Sequence, residues 1–406
     1  MEKIMNKYFF ILLIFSSIFL SSCMNDLNPE GGWSQPIITN DNMVIASKDG
    51  YLHKINLDNG FYNPNWKYPR DENLGAIYGS VKLYENIIYG SSYTCRGGDC
   101  SGKVFAVNEE DAMPYWGGQY IPVDGRVVGN IAVLDDMLLV ALGPKNSELN
   151  DSPKGILISI DRKSGFTTWE IPLDGESWSG IYINENKKTA YLGTLNGSIY
   201  AIDLEDLSEY SINPESRILW TYNTGRAIAG GLFIDGDSII FGDFGNRVIK
   251  LSTQSRFSGI DFPAKQEWVF ETDNWVWAAP IIDEDIIYVS TLSGHVYAID
   301  NVNGNQRWEV ELDTKVIGSP VVFDRKRGDV TQKSLAVPSA DKNIFSLSLF
   351  DGKQTGIFST DLPIKSSPVL YEDLLYAHTL DGKIFWFSTL DMSLRGCTDL
   401  IEGKSC

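Results

Sequence analysis

Histidine and basic residues are both scarce in this chain. Its 406 residues include only three histidines, His53, His295 and His378. So few imidazoles leave little material for histidine-based catalysis or for a zinc site. The 34 Lys and Arg stand against 53 Asp and Glu, which gives a net charge of −19. Because nucleic acids and anionic membranes attract clustered Lys and Arg, this balance argues against both as partners.

The apolar run near the N-terminus, Tyr8–Leu20, is too short to span a membrane. It has thirteen residues, whereas a membrane helix needs about 20. Lys3 and Lys7 precede the run, and small residues follow it. A basic start, a short apolar stretch and small residues before a cleavage point are typical of a secretory signal. The sequence therefore predicts an exported protein.

A cysteine stands at the predicted cleavage point. The sequence Leu20-Ser-Ser-Cys23 resembles a bacterial lipobox, in which the cysteine is lipidated and becomes the first mature residue. We predict a lipoprotein signal peptide at 1–22, a lipid on Cys23 that holds the chain to the bilayer, and a short tether at 23–30. The alternative is an ordinary signal with an incidental cysteine. Met24 follows, rather than an inner-membrane retention Asp, so the outer membrane, facing the periplasm, is expected if the cell is Gram-negative.

The other four cysteines form two close pairs, Cys95 with Cys100 and Cys397 with Cys406. In an oxidising compartment, even numbers of cysteines at short spacing indicate disulfides. The alternative, a metal site at Cys95 and Cys100, lacks further ligands nearby. We predict two disulfides and no metal site.

A five-residue core recurs eight times along the mature chain. Each copy is apolar, rich in β-branched or aromatic residues, and ends on a polar turn-former. The copies are Leu52–Asn56, Val104–Asn108, Leu157–Asp161, Ile199–Asp203, Val248–Ser252, Val296–Asp300, Ile344–Ser348 and Ile384–Ser388. Tight-turn pairs such as Asp49-Gly50 precede most of them, so each core is predicted to be a strand of a hairpin.

Tryptophan follows six of these cores, in two of them at the spacing polar-x3-Gly-x3-Trp. The six are Trp66, Trp116, Trp169, Trp220, Trp268 and Trp308. A large ring at one position of every repeat suits the packing of one sheet against the next. We predict that these tryptophans are structural. In the seventh repeat Gly356 holds the position and Phe358 follows, and the eighth repeat has no tryptophan there.

Each repeat also contains an earlier strand pair, opened by segments such as Trp33–Pro36 and Trp277–Pro280. Four strands in each of eight repeats predict an all-β fold, an eight-bladed β-propeller of four-stranded antiparallel blades. A single propeller accounts for residues 31–406. The last blade could be completed by residues 391–397 or by the N-terminal 24–30, and the sequence does not decide between them.

The repeat resembles that of the pyrroloquinoline-quinone (PQQ) dehydrogenases and their non-enzymatic relatives. A propeller of this size behind a lipobox is most similar to the BamB-like outer-membrane assembly lipoproteins. That resemblance implies a non-catalytic scaffold with an envelope protein partner, such as an outer-membrane insertase, and no cofactor. Arg226 matches an arginine of the family's docking loop. The leucines around it are missing, and Trp275 and Trp277 replace two aspartates.

The PQQ dehydrogenases form the other branch of the resemblance. Those enzymes carry adjacent cysteines beside the quinone, and this chain has no Cys-Cys pair. We therefore expect no enzyme activity, and a degenerate dehydrogenase is the least favoured interpretation.

Aligning the repeats on the entry to each first strand predicts a row of side chains around one mouth of the channel. The row is Trp33, Tyr78, Arg126, Glu176, Trp178, Arg226, Trp275, Trp277, Lys315 and Lys365. The aromatic residues could stack on a ligand or an apolar partner side chain, and the cations could bind anionic groups. The alternative is that these residues only fill the channel and pair with Glu176. The leading hypothesis is a protein-binding scaffold, and the rival is a small-molecule or glycan binder.

Overall fold

The structure, a computed structural model, describes residues 33–96, 99–144, 154–205, 213–253, 264–327, 330–360 and 362–406. These residues belong to one compact unit, Gly31–Cys406. The predicted signal peptide, Cys23 and the tether lie outside the described residues. In the part of the chain that is described, no helix is long and apolar enough to cross a membrane.

The described strands form eight sheets, which we number as blades in chain order. Blade 1 comprises β1 (Ile37–Thr39), β2 (Asn42–Ala46), β3 (Leu52–Asn56) and β4 (Tyr62–Tyr68), and blade 2 comprises β5 (Lys82–Tyr84), β6 (Ile87–Arg96), β7 (Asp99–Asn108) and β8 (Ile121–Asp124). Blade 3 comprises β9 (Ala132–Val133), β10 (Met137–Leu142), β11 (Gly155–Asp161) and β12 (Thr167–Leu173), and blade 4 comprises β13 (Ile181–Asn184), β14 (Thr189–Gly193), β15 (Ser198–Asp203) and β16 (Ile218–Asn223). Blade 5 comprises β17 (Leu232–Asp235), β18 (Ser238–Asp243), β19 (Arg247–Ser252) and β20 (Lys265–Glu271), and blade 6 comprises β21 (Ile281–Asp283), β22 (Ile286–Ser290), β23 (His295–Asp300) and β24 (Gln306–Glu311). Blade 7 comprises β25 (Val321–Arg327), β26 (Val330–Pro338), β27 (Asn343–Ser348) and β28 (Gln354–Ser359), and blade 8 comprises β29 (Val369–Tyr371), β30 (Leu374–His378), β31 (Lys383–Ser388), β32 (Leu394–Asp399) and β33 (Lys404–Ser405). Two short 3-10 helices, Glu185–Lys187 and Pro214–Arg217, lie in blade 4.

Each sheet is an antiparallel meander whose strands follow in chain order. The eight predicted cores all lie in the third strands of their blades. Apolar clusters fill the spaces between neighbouring blades, and one cluster joins Met43 and Ile45 of blade 1 to Tyr376 and Trp386 of blade 8. The ring is therefore closed, and the predicted eight-bladed all-β propeller is confirmed.

The two faces of the ring carry different connections, because an antiparallel meander places its turns alternately at its two ends. One face carries the turns from first to second strand and from third to fourth strand, and we call it the turn face. The opposite face carries the entry to each first strand and the turn from second to third strand. We call this second face the mouth face.

The six repeated tryptophans lie in fourth strands, except Trp116, which comes just before β8. Four of them donate the indole N–H to a backbone carbonyl of the next blade, as Trp116 does to Arg162 O at 2.9 Å and Trp268 to Asn301 O at 3.0 Å. Trp66 and Trp308 make the same bond. Trp169 lies under the guanidinium of Arg217, and Trp220 packs on Tyr191.

Glycine makes room for these rings. Gly304 has φ +73°, and a Cβ there would collide with Trp268 of the preceding blade. Gly352 has φ +70° and stands in the same relation to Trp308. The glycine of the repeat therefore supplies both a turn conformation and the space that the docking ring needs.

Blades 7 and 8 replace the missing tryptophans in a different way. In blade 7, Met392 of the next blade lies against Gly356, and Phe358 is fully buried. In blade 8 the large ring comes from the third strand, because Trp386 covers both its partner Gly396 and Gly60 of blade 1.

Blade 8 is completed by β32, so residues 391–397 rather than the N-terminal segment supply most of its fourth strand. A fifth strand, β33, pairs with β32. The prediction of four strands therefore holds for the other seven blades, and blade 8 has five. Both predicted disulfides are confirmed. Cys397–Cys406 ties β32 to the residue after β33, and Cys95–Cys100 crosses the β6–β7 hairpin on the mouth face.

Candidate functional site: the channel mouth

Backbone hydrogen bonds identify the equivalent mouth position in seven blades. In each, the first or second residue after the second strand, or Tyr93 within the long strand β6, donates its N–H to the carbonyl of a residue that precedes the first strand. At Arg126 the donor is Gly143, with N···O 2.8 Å. The acceptors are Ala76, Arg126, Glu176, Ala227, Trp275, Lys315 and Pro363.

Arg226 is one residue out of the predicted row, because Ala227 holds the equivalent position in blade 5. Ile228, its neighbour, is fully buried. Arg226 itself is exposed and lies beside Gly245. The sequence alignment slips by one residue there, although blades 2 to 4, which also lack a proline at this entry, align correctly. A slip of one residue turns every side chain of an extended segment to the opposite side.

Three tryptophans meet at the centre of the channel. The ring centroids of Trp33 and Trp277 are 6.4 Å apart, and those of Trp178 and Trp277 are 6.1 Å apart. The three residues enter blades 1, 4 and 6, which are not neighbours in the ring. Their contacts can form only across the channel axis. Tyr78 of blade 2 joins them, 5.6 Å from Trp33.

A second aromatic layer lies at the rim of the mouth. Trp275 is 44% exposed and stacks on Phe244, with ring centroids 4.5 Å apart and planes at 7°. Phe244 also lies 5.5 Å from Trp277. Trp275 and Phe244 together therefore offer an accessible stacked pair above the half-buried central rings.

Sequence reasoning missed Phe244 and Tyr93. Phe244 follows β18 directly, and Tyr93 belongs to the long strand β6, where it stacks on Tyr78 at 5.8 Å. Burial raises the pKa of the Tyr93 hydroxyl. The sequence contains a pattern that identifies the position of Phe244, because a polar residue recurs at the end of the second strands. Aligning the blades on that residue would have marked Phe244.

The charged side chains of the mouth are unequally paired. Arg126 donates two hydrogen bonds to the buried carboxylate of Glu176, at 2.7 and 2.8 Å. These bonds raise the pKa of Arg126. Lys365 places Nζ 4.5 Å from the centroid of a Trp33 ring, and Lys315 is exposed. Arg126 thus neutralises Glu176, and Lys315 and Lys365 are two further cations of the predicted row.

One polar atom in the central layer has no hydrogen-bond partner among the described residues. The indole Nε1 of Trp178 is buried and meets no acceptor there. A buried donor of this kind costs free energy unless an acceptor reaches it. Together with the stacked pair of Trp275 and Phe244, this indole donor makes the mouth suited to an apolar or aromatic group that carries an anionic or carbonyl oxygen.

The mouth does not fit the quinone cofactor of the PQQ dehydrogenases. Cys95 and Cys100 are bonded across two antiparallel strands rather than adjacent in the chain. Indole rings occupy the centre, where a planar cofactor would need open space. Across the described ranges, no group of three or more His, Cys, Asp or Glu side chains is placed to hold a metal ion.

Comparison with known proteins shows what this chain is similar to. The family model described as outer membrane protein assembly factor BamB matches residues 210–355 and 265–395. Outer membrane protein assembly factor BamB of Salmonella typhimurium is 23% identical over 340 residues, which cover 80% of this chain and 78% of that protein. The chain is similar to the PQQ-like, BamB-like propellers over most of its length.

Solved structures agree on the fold of this BamB-like chain. BamB from Moraxella catarrhalis superposes with a TM-score of 0.64 at 18% identity, covering 87% of this chain and 93% of that one. A europium-containing methanol dehydrogenase superposes with a TM-score of 0.63 at 12% identity, covering 88% and 82%. A BamB protein and a methanol dehydrogenase therefore share this fold, and function has to be argued from the site.

Proposed function

We propose that this chain is a lipid-anchored, non-catalytic scaffold that binds protein at the cell envelope and acts in outer-membrane protein assembly. The observation that carries the proposal is the similarity to BamB over 80% of the chain. That relative is an outer membrane protein assembly factor. The lipobox supports export and anchoring through Cys23, on the periplasmic side of the outer membrane in a Gram-negative cell.

The mouth is the proposed docking surface. Trp275 is exposed and braced by Phe244, so it can pack on a partner without first rearranging. Aromatic anchors on a rigid framework are typical of residues that dominate binding energy. Since tryptophans stand where the family's docking segment has aspartates, the contact would be apolar rather than ionic. The partner would be an envelope protein such as an outer-membrane insertase.

The test is recovery of the partner from native membranes. The tagged chain, cross-linked in its own host and solubilised in mild detergent, should recover an outer-membrane assembly protein. Trp275→Ala should reduce that recovery at least about tenfold, whereas Phe166→Ser on the turn face should not. Recovery of no envelope protein would contradict the scaffold function, and equal recovery with Trp275→Ala would contradict the mouth as its docking surface.

The mouth also supports a second candidate, a small-molecule or glycan binder. The exposed Trp275–Phe244 stack and the nearby cationic Lys315 and Lys365 resemble the mixture of apolar surface and few polar groups found in ligand sites. Titration calorimetry with neutral and acidic oligosaccharides separates the two candidates. Saccharide binding that Trp275→Ala abolishes, without a recovered protein partner, would favour the binder.

A further inference from the structure

The hairpin of β6 and β7 extends further across the mouth face than the matching hairpins of blades 5 and 6. Tyr93 in β6 holds the position of Phe244 and Leu292, because each donates its N–H to the entry segment of its blade. Phe244 and Leu292 lie beyond the ends of β18 and β22. The strand β6 instead continues past Tyr93 to the cross-strand pair of Cys95 and Cys100. Blade 2 therefore carries an extension that these two blades lack.

The base of this extension is part of the mouth. Tyr93 and Ala76 exchange two backbone hydrogen bonds, at 3.0 and 3.1 Å, and the buried Tyr93 ring stacks on Tyr78. Tyr78 in turn packs on Trp33 of the central layer. The Tyr93 hydroxyl lies close enough to Arg126 for the positive charge to act on it. A constraint on the extension is therefore also a constraint on one end of the aromatic layer.

Beyond Tyr93 the extension has little besides the disulfide to hold it. Among the side chains that the structure describes there, none is buried, since Thr94, Cys95 and Cys100 are half-buried and Ser101 is exposed. The hydroxyls of Thr94 and Ser101 are 3.3 Å apart, and a hydrogen bond open to water adds little stability. A two-stranded hairpin without an apolar face is marginally stable. The disulfide is therefore the main constraint on the extension.

The same disulfide is open to attack by thiols. Both of its cysteines are half-buried, so solvent reaches this part of the hairpin. The cysteines are five positions apart, and a short closed loop gains less stability from a disulfide than a long one. Exposed disulfides are the labile ones that exchange with other thiols. This bond therefore combines accessibility with a direct structural connection to the mouth.

We propose that the Cys95–Cys100 disulfide is a redox-modification site, at which a dithiol reductant loosens the mouth. One thiolate of the dithiol attacks the Sγ of either cysteine, the S–S bond breaks, and the other cysteine leaves as a thiolate. The second thiol of the reductant then attacks the mixed disulfide. Cys95 and Cys100 gain two electrons and two protons, and the dithiol becomes a disulfide. With the bond open, the extension loses its pairing and Tyr93 loses its fixed position on Tyr78.

The second disulfide of the chain provides a matched control. Cys397–Cys406 ties β32 to the residue after β33. The segment that it closes, residues 397–406, contains no aromatic residue. Opening this bond therefore releases a terminal strand without touching the rings of the mouth.

The test treats the folded chain with dithiothreitol, a small dithiol, and traps free thiols with N-ethylmaleimide. Mass spectrometry should find Cys95 and Cys100 labelled while circular dichroism still shows the native β-structure. Hydrogen exchange of the Ala76 and Tyr93 amides should become at least about tenfold faster after reduction. The double variant Cys95→Ser/Cys100→Ser should show the same faster exchange without any reductant.

The control variant Cys397→Ser/Cys406→Ser should leave exchange at Tyr93 unchanged. Equal acceleration by both double variants would overturn the proposal, because it would assign the effect to a general loss of stability. So would resistance of the first disulfide to reduction until the fold melts, or reduction that leaves exchange at Tyr93 unchanged. Reduction of the unchanged chain gives the result even if a variant fails to fold. All these measurements use the free chain, so they do not depend on the proposed function.

Discussion

Trp33, at the entry to blade 1, lies across the channel from Trp277, at the entry to blade 6, with ring centroids 6.4 Å apart. Two blades separate them on one side of the ring and four on the other, so this contact links parts of the propeller that share no blade interface. Trp277 also contacts Trp178 and Phe244. It is the ring on which the two aromatic layers of the mouth meet.

Trp277→Ala should therefore destabilise the fold, whereas Trp275→Ala should not. Trp277 packs against three other rings, and we expect its loss to lower the free energy of unfolding by about 2–4 kcal/mol. Trp275 is 44% exposed at the rim, so its loss should cost less than about 1 kcal/mol. Denaturant unfolding measures both values. Equal costs would show that the central layer is not packed as described.

Arg126→Met should leave the Glu176 carboxylate buried without its two charged hydrogen bonds. Arg126 itself is 38% exposed in its side chain, which moderates the loss, so we expect about 1–3 kcal/mol in the free energy of unfolding. Lys315→Met, an exposed cation of the same mouth, should change stability by less than about 0.5 kcal/mol. Thermal unfolding of both variants at equal ionic strength provides the comparison. An Arg126→Met variant as stable as the unchanged protein would contradict this prediction.

Gly60→Ala should weaken the contact between blades 8 and 1. Gly60 has φ +67°, and a Cβ there would collide with the ring of Trp386. Gly225 has a similar φ of +74° but has nothing within 4 Å of an added Cβ. Both substitutions carry the backbone cost of about 1 kcal/mol. Only Gly60→Ala should add an overpacking cost of about 1–3 kcal/mol, visible as a lower unfolding midpoint than that of Gly225→Ala.

Stability should fall as the pH is lowered from about 6.5 to about 4, because His378 is fully buried and burial lowers its pKa to about 4. Above the unfolded pKa of about 6.5 the imidazole is neutral in both states, and the native state has its full stability. Between the two values the unfolded chain takes up a proton that the native chain does not. The loss should be about 3 kcal/mol.

His378→Phe should flatten that pH dependence, whatever its stability at neutral pH. His53, Asp49 and Asp381 face His378 electrostatically, and they remain in the variant. Denaturant unfolding of both proteins across this pH range gives the comparison. An unchanged slope in the variant would assign the loss to other groups.

The repeat pattern predicted the fold because each blade carries the same local signals. A core such as Ile199–Asp203 combines strand-forming residues with a turn-former, and a tryptophan follows at a regular distance. These signals are local, so one sequence suffices to find them. The strand β33 has only two residues, Lys404 and Ser405, and no apolar pattern that could have predicted it.

The mouth was predictable only in part. The entry positions of Trp33, Trp178 and Trp277 follow from the repeat, but their contacts depend on the diameter of the closed ring, which no local pattern encodes. The shift at Arg226 does not follow from a missing entry proline, because blades 2 to 4 lack that proline as well and were aligned correctly. The tryptophan register would have avoided the shift, because Glu176, Ala227, Trp275 and Lys315 each stand seven residues after the tryptophan of the preceding repeat.

The contact between blades 8 and 1 also determines when folding can finish. Tyr376 donates its hydroxyl to Leu57 O, a residue 319 positions earlier, and Thr398 donates to Gly60 O at a separation of 338. During synthesis, blade 1 emerges early with the apolar side chains of Met43 and Ile45 uncovered, and they stay so until blade 8 arrives. The first blade is therefore the segment most in need of a chaperone before the chain is complete, and a late truncation should cause its aggregation.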